Sequence, residues 1–130
     1  MHDPAKDIAQ LLQDAGVATL GIDLFTGPMR PAGEGAPAQC VFVRSTGGLP
    51  ADRFFVQLDE VRYPTVQVRV RSPSYQQGMD LARAVYAAAQ SARPAGYMDV
   101  VCNQSEPLYM EQDANRHHHW ALNFELMYQE

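Results

Sequence analysis

The clearest pattern in the chain is a strict alternation from Thr65 to Arg71. Val66, Val68 and Val70 fall on one side; Thr65, Gln67, Arg69 and Arg71 fall on the other. Period two predicts a strand with one buried and one exposed face. A second alternation over residues 117–128 sets Trp120, Leu122, Phe124, Leu126 and Tyr128 toward the core, with His117, His119, Ala121, Asn123, Glu125 and Met127 opposite. Helical spacing replaces period two in between. Tyr75, Met79, Ala82, Val85, Tyr86 and Ala89 form one stripe of a helix that starts at the N-cap Ser74 and runs to about residue 91. Ser72-Pro73 stops the strand before it, and Arg93-Pro94-Ala95-Gly96 closes the helix.

An earlier helix opens on Asp3-Pro4, an N-cap followed by proline where no donor is lost. Ile8, Leu11, Leu12 and Ala15 make its apolar stripe, and Gly16 ends it. Shorter strands are predicted at residues 19–25, 39–44 and 97–103, with a strand or extended connection at 53–58 and an extended link at 106–110. Ser45 to Pro50, STGGLP, reads as a break. Residues 26–38 hold three prolines and three glycines and read as an irregular loop. The expected fold class is α+β, an α/β sandwich with one mainly antiparallel mixed β-sheet packed against two major helices. One domain is expected to span residues 1–130.

Composition narrows the function. A chain of 130 residues, 46% apolar and 19% charged, is ordinary globular material. Its net charge of −5 argues against affinity for nucleic acid through overall charge, so any such contact falls to local arginines. No apolar stretch reads as a secretory signal or a membrane span, and the protein is expected to be soluble and assembled in a cytoplasm. Cys40 and Cys102 each sit in an apolar run and read as buried small hydrophobes, with a disulfide as the alternative.

Candidate chemistry is thin. His117 and His119 share a strand face while His118 points away, so two imidazoles at most converge, and no metal-ligand spacing accompanies them. The Pro/Gly-rich loop lacks the Gly-Lys-Ser/Thr ending of a phosphate-binding loop. No nucleophile motif is present, and the acidic pairs Asp59-Glu60 and Glu111/Asp113 read as solvated turns. No catalytic residue, metal or cofactor is expected. Arg69 and Arg71 admit three readings: a solvated face, guanidinium forks that meet carboxylates of a neighbouring subunit, or a locally basic surface beside DNA.

The order of three stretches carries a resemblance. CVFVRSTGGLP from Cys40, YPTVQVRVRSPSYQQGMDLARAVYAAA from Tyr63 and SEPLYMEQDANRHHHWALNFEL from Ser105 are similar to the tail terminator proteins of tailed bacteriophages. That family is often labelled minor capsid or tail completion protein. Thr46-Gly47-Gly48, the run from Pro64 to Arg71, Tyr75 and Asn123-Phe124 occupy the family's places. The His-rich entry to the last strand departs from the family pattern.

The resemblance implies a structural, non-enzymatic role. Such proteins form a homohexameric ring on the head-proximal end of the tail tube, stop its growth and offer the surface for joining to the head or neck. Implied partners are further copies of the chain, the tail tube protein and a head-completion or neck protein. DNA would pass through the ring without sequence-specific binding, no membrane is involved, and the protein would reside in the virion after assembly in the host cytoplasm. Gln67, Arg69 and Arg71 would face a subunit seam or the channel. Pro28, Met29, Arg30 and Glu34 would form a partner-docking loop that orders on contact. Alternatives are a head-closure or other neck protein, and a small metal-dependent hydrolase or nuclease using His117 and His119.

Overall fold

The computed structural model describes residues 2–53, 60–90 and 92–129. Two helices cover one face of a six-stranded sheet, as the alternating and helical stripes predict. Helix α1 (Pro4–Asp14) starts where Asp3 accepts the Lys6 amide at 3.3 Å, and it buries Ala5, Ile8, Ala9 and Leu12. Helix α2 (Tyr75–Ala89) is capped by Ser74 accepting the Gln77 amide, and it buries Gly78, Ala82, Val85 and Ala89. Gly78 replaces Tyr75 in the buried stripe, because the helix backbone lies against the Trp120 ring and leaves no room for a side chain. Neither helix is long and apolar enough to cross a membrane.

The strands are β1 (Leu24–Thr26), β2 (Cys40–Arg53), β3 (Glu60–Ser72), β4 (Asp99–Cys102), β5 (Leu108–Gln112) and β6 (His118–Gln129). Their order is β1-β2-β3-β6-β4, and β5 joins the same side of β6 that β4 uses. Among the strand pairs of the described residues β1–β2 alone is parallel, so the sheet is mixed and mainly antiparallel. Val41, Val43, Val66, Val68, Val70, Trp120, Leu122, Phe124 and Leu126 line the helix-covered face and are buried. Each helix alone is marginal; burying its stripe on this row of residues is what holds it.

Several boundaries differ from the sequence reading. Residues 19–23 are not strand. The Thr19 carbonyl accepts the amides of Ile22, Asp23 and Leu24, and the Asp23 carboxylate accepts the Thr19 amide at 2.7 Å. These local bonds outcompete a ladder and shorten β1 to its last residues. STGGLP does not break β2 either. The strand runs through it with register shifts after Ser45 and after Leu49.

Gly47 and Gly48 sit at φ 91° and 127°, and a Cβ on Gly48 would collide with the Tyr63 carbonyl and stand 2.9 Å from the Pro64 Cα. The glycines permit a bulge and a close cross-strand approach. The expected strand at 53–58 falls outside the described residues, except that Arg53 ends β2. The link at 106–110 carries most of β5. Cys40 and Cys102 are free and buried, and burial pushes both thiols above their ordinary pKa, so they remain neutral.

Candidate functional site

The face opposite the helices is where the chain's polar side chains gather. Register lines up Cys40, Arg71 and His119 in one row, with Glu111 of β5 opposite His119. Phe42, Arg69, Ala121 and Leu108 make the next row, and Arg44, Gln67 and Asn123 the third. Gln67 joins its row: its Oε1 accepts from Arg44 Nε at 3.2 Å and Nη2 at 3.0 Å, while its Nε2 donates to Asn123 Oδ1 at 3.2 Å.

Arg71 does not lie on an exposed face, contrary to its place in the alternation; it is 3% exposed. Its Nε donates to the Ala38 carbonyl at 3.1 Å, Nη1 to that of Arg30 at 2.5 Å and Nη2 to that of Pro37 at 2.8 Å. A buried charge persists only when its donors are satisfied, and here a loop folds over the sheet to supply the acceptors. Under the same loop Ala36, Cys40 and Phe42 form a second, smaller core that Phe25 and Met29 pack against. The Arg30 guanidinium lies over the Phe25 ring at 4.8 Å and the Phe42 ring at 5.6 Å. The loop expected to order on meeting a partner is therefore already fastened to the sheet.

Arg69 is differently placed. Its Nη2 donates to His119 Nδ1 at 3.3 Å, while its Nε is buried without a partner. A guanidinium only donates, so His119 Nδ1 accepts and the ring's hydrogen sits on Nε2. Nε2 then donates to Asp113 Oδ2 at 2.8 Å. Burial, reinforced by the charge of Arg44, pulls the Arg69 guanidinium below its ordinary pKa, and Glu111 opposes the shift.

Asp113 also accepts the Asn115 and His117 amides on Oδ1, and it closes a β5–β6 turn in which Arg116 adopts φ 64°. The His119 bond, then the His117 amide, lowers its pKa from 3.8 to about 2. Neither Glu111 nor Asp113 is thus a free turn acid: one lies in β5 and the other organises the turn. Glu60, from the other acidic pair, lies in β3 and bridges Arg53 and Arg62; Asp59 is outside the described residues.

The sign of the Asp113 shift makes a test. A depressed folded-state pKa contributes stability that is fully present above about 3.8 and lost as the pH falls to about 2. Asp113→Asn is expected to be less stable than the native chain in urea melts above about pH 4, with the difference closing as pH approaches that lower value. A difference that stays constant across this window would show that the carboxylate's charge is not the source.

A groove of about 500 Å³ separates the loop from the β5–β6 turn. It brings together Pro28, Met29, Arg30, Arg69 and Arg71 of the expected residues. Gln67 lies one row away, and Glu34 is exposed on the loop's outer turn. Arg44, Glu111, Asp113, His117 and His119 line the same groove. Arg44 was legible as the next outward position after Phe42; the role of Asp113 was not, because it depends on a turn that folds a carboxylate back onto its own strand. His117 and His119 share this face, but His119 has both ring nitrogens engaged, and among the described residues no cluster of three His, Cys, Asp or Glu forms a metal site. His118 stands on the other face, its Nδ1 2.8 Å from the Tyr109 hydroxyl.

Comparison with known proteins agrees with this architecture. A chain from the virion of a native gene transfer agent particle shares the fold at a TM-score of 0.58 and 15% identity, over 95% of this chain and 92% of that one. No curated protein matches the sequence. The family described as bacteriophage tail terminator protein matches residues 11–130, from the second half of α1 through the last strand. Nearly the whole sheet-and-helix unit is thereby accounted for, and the chain belongs to the bacteriophage tail terminator protein family, as a structural protein of a phage tail.

Proposed function

We propose that the chain acts as a single domain that closes into a homohexameric ring on the head-proximal end of a tail tube, where it halts polymerisation and presents the surface for the head or neck. Its partners are then further copies of itself, the tube protein and a head-completion protein, and its place is the virion neck after assembly in the host cytoplasm. Family membership supports the tail role. The observation that carries the ring is the asymmetry of the sheet. Helices cover one face, while the other face holds the arginine groove.

The two margins are also unlike. β5 is exposed throughout, with Leu108 51%, Tyr109 39% and Met110 44% exposed, and Val101 of β4 adds 39%. At the opposite margin β1 covers β2 only as far as Val43. A ring built by rotation needs two different surfaces on each copy that fit one another, and this chain offers unlike surfaces at its opposite margins. The net charge of −5 suits a conduit for DNA that does not grip it.

The test uses purified tube protein polymerising with and without this chain, followed by negative-stain imaging. Shortened tubes carrying a ring at one end are expected. Tubes of unaltered length with bare ends would overturn the proposal.

A further inference from the structure

We infer that the groove between residues 28–32 and the β5–β6 turn is a carboxylate-binding site that receives an acidic segment of a protein partner. The inference rests on the reading of the chain as an interaction protein and adds the chemistry of what it holds. Arg30, Arg44, Arg69 and Arg71 all line this groove, the Arg71 guanidinium buried beneath the loop and that of Arg30 lying over Phe25 and Phe42. Among the described residues no ion pair engages any of them; the recorded pairs are Arg53–Glu60, Arg62–Glu60, Arg83–Glu106 and His119–Asp113.

The local acids do not neutralise them. Asp113 is committed to His119 and to two turn amides. Glu111 attracts Arg69 through space without forming an ion pair. Arg71 spends its donors on backbone carbonyls, which carry no net charge, so its positive charge stays uncompensated. In a protein of net charge −5, this is a local excess of positive charge.

Arg69 carries the least satisfied of these groups. Its Nε is buried, has no acceptor and sits beside the repelling Arg44. Buried donors are almost always satisfied, so Arg69 Nε, part of a residue that lines the groove, is left to bond an oxygen that enters there, from water or from a carboxylate that replaces it. A carboxylate there would accept from the guanidinium fork and relieve the repulsion between Arg69 and Arg44.

The surroundings favour a peptide over a nucleic acid. A nucleic-acid strand carries a phosphate at every step and would meet the protein's net charge of −5 along its length, whereas a short acidic segment can set a single carboxylate among the arginines, clear of Glu111 and Asp113. Pro28 and Met29 form an apolar wall that suits the methylenes of a glutamate or the residue next to it.

The test is an NMR titration of ¹⁵N-labelled protein at low salt, with acetylated hexaglutamate as one probe and a thymidine hexanucleotide as the other. The Arg69 Nε–H signal, protected by burial, is expected to shift with hexaglutamate and to respond less to the oligonucleotide. Arg44→Gln, at an exposed position, and Arg69→Gln are each expected to weaken hexaglutamate binding about tenfold, with the remaining spectrum unchanged. Arg69→Lys is expected to recover only part of the loss, because an ammonium lacks the fork.

Absence of a shift at Arg69, or equal or tighter binding of the oligonucleotide, would overturn the inference. Failure here with normal capping of tubes leaves the ring intact as a proposal; bare tubes with normal peptide binding do the reverse.

Discussion

Gly78→Ala is expected to destabilise the protein by about 1–3 kcal/mol through overpacking, although the same exchange in an unobstructed helix stabilises by about 1 kcal/mol. Sterics decide the sign. A Cβ at Gly78 would collide with Trp120 Cζ3 and Cη2 and stand 2.8 Å from Ser72 Cβ. Trp120 is fully buried on the helix-covered face, so its ring cannot swing aside cheaply. Replacing it with phenylalanine removes the far edge of the indole. It also removes an indole N–H that is buried without a partner, which offsets part of the lost packing. Gly78→Ala on the Trp120→Phe background is therefore expected to cost less than on the native one, with the Ser72 Cβ contact remaining. A urea-denaturation cycle over the four proteins measures the coupling. Equal effects of Gly78→Ala on both backgrounds would dismiss the steric account.

Arg71→Met is the second large effect. It keeps the aliphatic stem but abandons the carbonyls of Arg30, Pro37 and Ala38. The expected cost is about 2–3 kcal/mol, less than the sum of the separate bonds because the freed loop carbonyls can turn to water. The damage should be local before it is global. Endoproteinase Glu-C should cut after Glu34, in the same loop, much faster in the variant than in the native chain, while the amides of β3 and β6 keep their protection. Arg71→Lys should restore part of the resistance, since an ammonium reaches some but not all of the acceptors. Equal cleavage at Glu34 in the native and Met chains would remove Arg71 from its role as the loop's anchor.

These two residues also show where the sequence was readable and where it was not. Period two at Val66, Val68 and Val70 and again from Trp120 to Tyr128 placed the two central strands correctly, because burial on one face leaves a repeating mark. Gly78 left no such mark: a missing side chain in a helix looks like weak propensity until the ring it accommodates is known. Gly47-Gly48 reads as a turn in one dimension, yet serves as a bulge inside a long strand.

Arg71 continues the polar phase of its strand, and nothing local shows that residues 30–38 return to cover it. The groove shares that limit. Arg69 was visible as a candidate, but its His119 and Asp113 neighbours come together only through strand register and a tight turn. Local periodicity records which way a side chain points; it does not record what arrives above it.

Arg71 grips main-chain oxygens, which every amino acid supplies alike. The segment's seat is thus largely indifferent to the identities of the side chains it displays, with Met29, Ala36 and the Arg30 side chain over Phe25 and Phe42 as the inward exceptions. Exchange of Pro28, Pro31, Ala32 and Glu34 can alter the outer surface here without unseating the strap that carries them. The chemistry of this outer surface can therefore change by small substitutions on a preserved mount.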